Sequence, residues 1–228
     1  MATYFNVTLD TAGPTTPSVS INAGAAYTGD DDVTLTIGTA DGDTTNYQVK
    51  IYGDVDDSFA PAEYRAVEGS APWVAYNVSK SVRLSATDGA KTVKIKIRDD
   101  VYNESTEATD GITLDTSIPT PTVSVGPDVS KISKIAGKRV VSFSFQADVI
   151  FEEYKIKVVP ATNSLQSAGT TVLTTNGSTN MAGAAGGYPA TTNINCTIDG
   201  RDLEVASSGD GAKIVKVFVK DAALNWSV

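Results

Sequence analysis

The sequence predicts an all-β protein made of two tandem antiparallel β-sandwiches, and three observations carry that prediction. Apolar and polar residues alternate with a period of two almost throughout, Gly-containing turn signals separate the alternating runs, and the chain repeats itself. Alternation places one face of each strand in a core and the other in solvent, as in antiparallel sheets buried on one side. The runs are, in order, Val33-x-Leu35-x-Ile37, Tyr47-x-Val49-x-Ile51, Val93-x-Ile95-x-Ile97, Val141-x-Phe143-x-Phe145, Tyr154-x-Ile156-x-Val158 and Val215-x-Val217-x-Val219. Asp41-Gly42, Asp88-Gly89, Asp199-Gly200 and Asp210-Gly211 read as the turns between them. No window of a dozen residues has helical spacing. Short strands punctuated in this way predict sandwiches.

The repeat organises the chain. Asp88-Gly89-Ala90-Lys91-Thr92-Val93-Lys94-Ile95-Lys96-Ile97 matches Asp210-Gly211-Ala212-Lys213-Ile214-Val215-Lys216-Val217-Phe218-Val219 at an offset of 122. Asp99, Asn103 and Ser105 fall on Asp221, Asn225 and Ser227 at the same offset. Placing Tyr47-x-Val49-x-Ile51 on Tyr154-x-Ile156-x-Val158 gives an offset of 107, so the second repeat is longer by 15 residues. The extra length is assigned to the polar stretch from about Asn163 to Asn193, read as a long excursion. The domain division expected is an N-terminal strand or arm at 1–11, a first domain at 12–118 and a second at 119–228.

The repeat boundaries are displaced by one strand. Ile112-Thr113-Leu114-Asp115-Thr116, followed by a Pro-bearing linker, reads as the last strand of the first repeat. The same passage opens the chain as Val7-Thr8-Leu9-Asp10-Thr11, and the second repeat closes just after Asn225-Trp226-Ser227, where its own final strand would begin. The penultimate strand of the second repeat, Lys213 to Lys220, is therefore expected to have an open edge. Phe5, Val7 and Leu9 on one side and Val215, Val217, Phe218 and Val219 on the other are the candidate assembly residues. Three placements stay open for the N-terminal strand: in another copy of the chain, on a different partner in an assembly, or locally on the first repeat. Phe218 stands where Lys96 stands in the first repeat, on the polar face, and marks either a covered surface or a single exposed aromatic.

Composition excludes several classes of chemistry. Among the 228 residues, 18 Lys+Arg stand against 27 Asp+Glu for a net charge of −9, which argues against a nucleic-acid partner. The absence of histidine removes Ser-His-Asp and Cys-His catalysis and imidazole metal sites. No paired-acid motif is present, and no enzyme, catalytic residue or cofactor is expected. Cys196, the single cysteine, lies in an alternating run and is expected to be a buried thiol. No apolar run approaches the ~20 residues that span a bilayer, so no membrane insertion is expected. The N-terminus has no basic and apolar leader pattern, which predicts synthesis in a cytoplasm. The acidic runs Asp30-Asp31-Asp32, Asp41-x-Asp43, Asp54-x-Asp56-Asp57 and Asp99-Asp100 read as turn and solvation residues. Asp54, Asp56 and Asp57 are the candidates for calcium, which takes oxygen ligands alone.

Trp73, Val82-Arg83-Leu84-Ser85, Asp88-Gly89-x-Lys91-Thr92-Val93, Arg98-Asp99, Asn103-x-Ser105 and Ile112-Thr113-Leu114-Asp115-Thr116 together resemble bacterial Ig-like repeats of large surface proteins and phage structural proteins. The resemblance spans nearly all of the first repeat and mainly Asp210 to Ser227 of the second, which lacks a matching tryptophan and the final strand. It implies a structural or binding role. The function expected is a non-enzymatic phage virion accessory protein, decorating a capsid or tail and attached through its terminal strands by β-strand addition to other virion proteins or to copies of itself. Its expected location is the virion, after synthesis in the host cytoplasm. The alternatives are a bacterial cell-surface adhesion module that binds receptors or host-surface glycans, with Trp73, Trp226 and Tyr188 as stacking candidates, and a spacer from a longer adhesin.

Overall fold

A computed structural model describes residues 5–59, 63–173, 181–182 and 187–228. The chain divides into two compact units, Met1–Asp115 and Thr116–Val228. Unit 1 contains β1 (Ser18–Ile21), β2 (Tyr27–Thr28), β3 (Asp32–Gly38), β4 (Gln48–Gly53), β5 (Tyr64–Arg65), β6 (Val74–Ala75), β7 (Ser79–Arg83), β8 (Gly89–Arg98) and β9 (Ala108–Leu114). One sheet runs β1-β3-β7 and the other β2-β9-β8-β4-β5, with β6 also on β4. Val33, Leu35, Ile37, Val49, Ile51, Val93, Ile95, Ile97 and Ile112 point between the sheets and form one buried core. Their alternation in sequence is the alternation of faces in the fold.

Unit 2 contains β10 (Pro121–Val125), β11 (Val140–Ala147), β12 (Glu153–Val159), β13 (Thr170–Thr171), β14 (Met181–Ala182), β15 (Ile194–Asp199), α1 (Gly200–Ala206) and β16 (Ile214–Lys220). Its sheets are β10-β11-β15 and a second in which β12 pairs with β13, β14 and β16. The core is aromatic: Phe145 meets Tyr154 edge-on at 5.0 Å and Phe151 at 6.1 Å, and Tyr188 stacks on Phe151 at 4.8 Å. Of the polar excursion, the described part holds a 3-10 turn at Gln166–Ala168, β13 and β14; residues 174–180 and 183–186 lie outside the described residues.

Strand pairing corrects the repeat register. Val49 pairs with Ile97 in unit 1, while Tyr154 pairs with Val219 in unit 2, so the equivalent of Val49 is Tyr154. That offset is 105 rather than 107, and against 122 the extra length becomes 17 residues rather than 15. Side-chain partners agree: Gln48 accepts from Arg98 Nε at 2.7 Å, and Glu153 pairs with Lys220. A slip of two residues keeps every side chain on its own face, so alternation alone does not detect it.

A second correction concerns Asp199-Gly200. It begins a helix rather than a tight turn: Asp199 caps α1 by accepting the Arg201 N–H at 2.9 Å. Leu203 and Ala206, three residues apart, lie against the core. At seven residues, α1 is too short to produce a helical period over a dozen positions. Hydrogen bonds and charge from Arg201, with Arg139 3.0 Å away, hold the Asp199 carboxyl down at about 2.

The Asp-Asn recurrence is architectural. Asp99 Oδ1 accepts the Val101 and Asn103 N–H groups at 2.9 Å, and Asn103 Nδ2 donates to Asp99 Oδ2 at 2.9 Å. Asp221 and Asn225 repeat this with distances of 2.9 and 3.1 Å. Ser105 and Ser227 close both turns by accepting the Ile97 and Val219 N–H groups. In unit 1 the chain runs from this turn directly into β9.

Candidate assembly site

The two units differ most on the side where β9 lies. In unit 1, β8 is paired on both edges, with β4 and with β9. In unit 2, the equivalent β16 pairs with β12 on one edge, and among the described residues no strand occupies the other. The end of that edge is covered, where Lys220 bridges Trp226 and Ser227 donates to the Val219 carbonyl at 2.9 Å. An open edge carries a row of backbone donors and acceptors ready for another strand.

With no strand there among the described residues, the space between the sheets is open as well. In unit 1, Ile112 and Leu114 of β9 fill it and Ile21 is 0% exposed, as is Val93. In unit 2, Val123 on β10 and Val215, the counterpart of Val93, are 53% and 39% exposed. Val123, Pro127, Val141, Phe143, Ile198 and Val217 line the resulting groove with Lys213 and Val215; its volume is about 290 Å³. Fully burying one valine or leucine is worth about 1.5–3 kcal/mol. The open groove is therefore a standing loss of stabilisation that an apolar strand would recover.

The candidate residues of the arm sit at the other unit. Residues 5–11 form no strand, and Phe5, Val7 and Leu9 are 83–87% exposed. They are not paired with unit 1, contrary to the local placement left open by the sequence. The arm meets unit 1 at its root, where Asn103 Nδ2 donates to the Asp10 carbonyl at 3.3 Å. Gly13 packs so tightly that a Cβ would lie 2.2 Å from the Glu104 carbonyl oxygen, so only glycine fits there.

Phe218 and Val219 do not belong to an exposed site. Both are 0% exposed, with Val219 in the core. Phe218 lies on the outer face, and its cover comes from unit 2 itself. Lys216 Nζ stands 5.1 Å from the ring and donates to the Thr162 and Ser164 carbonyls, which fixes the loop after β12 over that face. Lys157, also buried, donates to the Gln166 carbonyl, and desolvation lowers its pKa. The groove walls Val123, Phe143 and Ile198 were missed as site residues. Aligning them with the unit 1 residues that border Ile112 and Leu114 is the signal that finds them.

The acidic runs are occupied by their own turns. Asp54 accepts the Thr92 N–H at 2.8 Å, Asp56 accepts the Ser58 N–H at 2.9 Å, and Asp57 accepts the Ala66 N–H. The structure does not gather these three calcium candidates around one point. Asp30, Asp31 and Asp32 do place carboxylate oxygens within 4.8 Å of one another. Arg83 meets them, with both Asp32 oxygens bonded at 2.7 and 2.8 Å, and keeps the Asp32 carboxyl below its ordinary range. The indoles are engaged by cations. Lys50 and Arg98 lie 4.7 and 4.5 Å from the Trp73 ring, and Lys155 and Lys220 lie 4.7 and 5.5 Å from Trp226. Trp226 thus serves unit 2 as Trp73 serves unit 1, from an unrelated position in the repeat, so unit 2 does have a tryptophan equivalent.

Cys196 is buried, and burial pushes its thiol up to about 11, against a smaller opposing effect of a hydrogen bond with Tyr154. The thiolate is the reactive form. The native chain is accordingly expected to resist Ellman's reagent and to react fully in denaturant; rapid titration of the native thiol would contradict this placement.

Sequence searches against protein-family models and against curated proteins find no match. Among solved structures, the chicken CNTN1 FN1–FN3 domains are similar at 14% identity and a TM-score of 0.42, covering 95% of this chain and 65% of theirs. The chain thus spans just under two thirds of that fragment. Fibronectin(III)-like modules of Clostridium thermocellum CbhA are similar at 11% identity and a TM-score of 0.45, covering 92% of this chain and 89% of theirs. No helix among the described residues is long and apolar enough to cross a membrane.

Proposed function

We propose that this chain is a non-enzymatic structural subunit of a phage particle, a capsid or tail decoration that joins its surroundings through strand edges. One observation carries the reading: the open β16 edge and its apolar groove, which a partner strand would complete. A long uncovered strand beside exposed valines is a liability in a free monomer and a docking surface in an assembly. The resemblance of unit 1 to repeats of phage structural and bacterial surface proteins supports the particle setting. Electron microscopy of virions assembled with a tagged copy of the chain tests the proposal. Label in ordered, symmetric positions on head or tail is expected. Recovery of the chain only as free protein, with particles unlabelled, overturns it.

A further inference from the structure

We infer that residues 5–11 of one copy dock as an added β-strand along residues 209–215 of a second copy, the open edge that leads into β16, linking chains head to tail. The inference rests on the strand-edge reading above and names the partner. Three observations converge on it.

The first is sequence. Val7-Thr8-Leu9-Asp10-Thr11 copies Ile112-Thr113-Leu114-Asp115-Thr116, and Ile112 and Leu114 are the buried residues that β9 presents to the unit 1 core. The second is the vacancy. Edge and groove in unit 2 lie where β9 lies in unit 1. The pairing of β8 with β9 sets the register: Lys91 opposite Ile112, Gly89 opposite Leu114 and Val93 opposite Asp110. Carried across the repeat, Val7 falls opposite Lys213, Leu9 opposite Gly211 and Phe5 opposite Val215. The third is a difference between arm and β9. In unit 1 the carboxylate of Asp110 accepts the Ile21 N–H at 2.7 Å. The arm has Phe5 there, which suits a groove walled by Val123, Val215 and Phe143.

In this structure the arm is seated in no groove of its own chain, with Phe5, Val7 and Leu9 83–87% exposed, so the acceptor is the unit 2 of another molecule. Each junction between copies then repeats the strand-then-linker order already present inside the chain. A contact of this kind joins two different surfaces and leads to filaments or rings rather than closed dimers.

Sedimentation of the full chain over a concentration series tests the inference. Mass is expected to rise past that of a dimer, and Leu9→Asp is expected to abolish the rise by placing a charge on the groove-facing side. Leu9 is exposed in the free chain, so this variant keeps its fold, which circular dichroism checks. Thr8→Asp, on the outward side, is expected to associate nearly as wild type. Mixing equal amounts of a Val7→Cys chain and a Lys213→Cys chain under mild oxidation is expected to give the mixed disulfide well beyond the twofold excess over either homodimer that random pairing produces. A monomer at all concentrations, equal effects of the two aspartates, or no preference for the mixed disulfide overturns the inference. A chain that is monomeric alone yet decorates particles would remove the copy-to-copy contact and keep the virion reading. A chain that polymerises but never labels particles would do the reverse.

Discussion

Replacing Phe145 by alanine is expected to cost unit 2 about 3–5 kcal/mol, the range for deleting a buried phenylalanine from a packed core. Phe145 is 0% exposed and lies between Tyr154 and Phe151, while Tyr188 leans on both of those rings. Its removal therefore opens a cavity and also breaks two ring contacts, each worth up to about 1 kcal/mol beyond burial. Domain stabilities are about 5–15 kcal/mol, and unit 2 has a groove unfilled, so the variant is expected to sit near its unfolding limit. Each unit has one tryptophan, Trp73 in unit 1 and Trp226 in unit 2. Urea unfolding followed in single-tryptophan backgrounds reads the two units separately. The Trp226 transition is expected to move to much lower urea while the Trp73 transition stays. Equal movement of both would show that the units unfold as one.

Asp99→Ala and Asp221→Ala are expected to destabilise unit 1 and unit 2 respectively, by about 2–4 kcal/mol each, since every buried donor left unpaired costs about 1–3 kcal/mol and water recovers part of it. Asp99 is buried and accepts two backbone N–H groups and the Asn103 amide. The turn also holds Tyr102 at φ 70° and Leu224 at φ 72°, a conformation that side chains enter only with support. Asparagine at either position keeps one acceptor oxygen and is expected to lose less than half as much. The same urea experiment checks this: a shift confined to the mutated unit is expected, and no shift would mean that the carboxylates are ornamental.

Much of this protein is legible before folding because a strand with one buried face writes its geometry into alternate residues. Val33, Leu35 and Ile37, or Val93, Ile95 and Ile97, need no tertiary information to be placed in a core. The same property limits the reading. A period of two cannot separate Val49 matched to Tyr154 from Val49 matched to Ile156, and only the ladder between β12 and β16 distinguishes them. Phe218 is read correctly onto the outer face, but its cover comes from a loop held by Lys216, a contact between residues 52 and 54 apart. Trp226 takes over the place of Trp73 above a pair of cations from another part of the repeat, which no alignment by position reveals.

From sequence alone came the strand faces, the duplicated Asp-Asn turn and the displaced strand at residues 7–11, because each is a local pattern repeated twice in one chain. The tertiary structure decided what that displacement means. Pairing with β9 on one unit and an uncovered edge on the other turn a repeat boundary into an apolar groove, and the exposure of Val123 and Val215 marks where a strand would fit. The physical reason is that edge completion is a non-local property. It depends on which strands meet across the sheet, and backbone hydrogen bonds carry no signature in side-chain sequence.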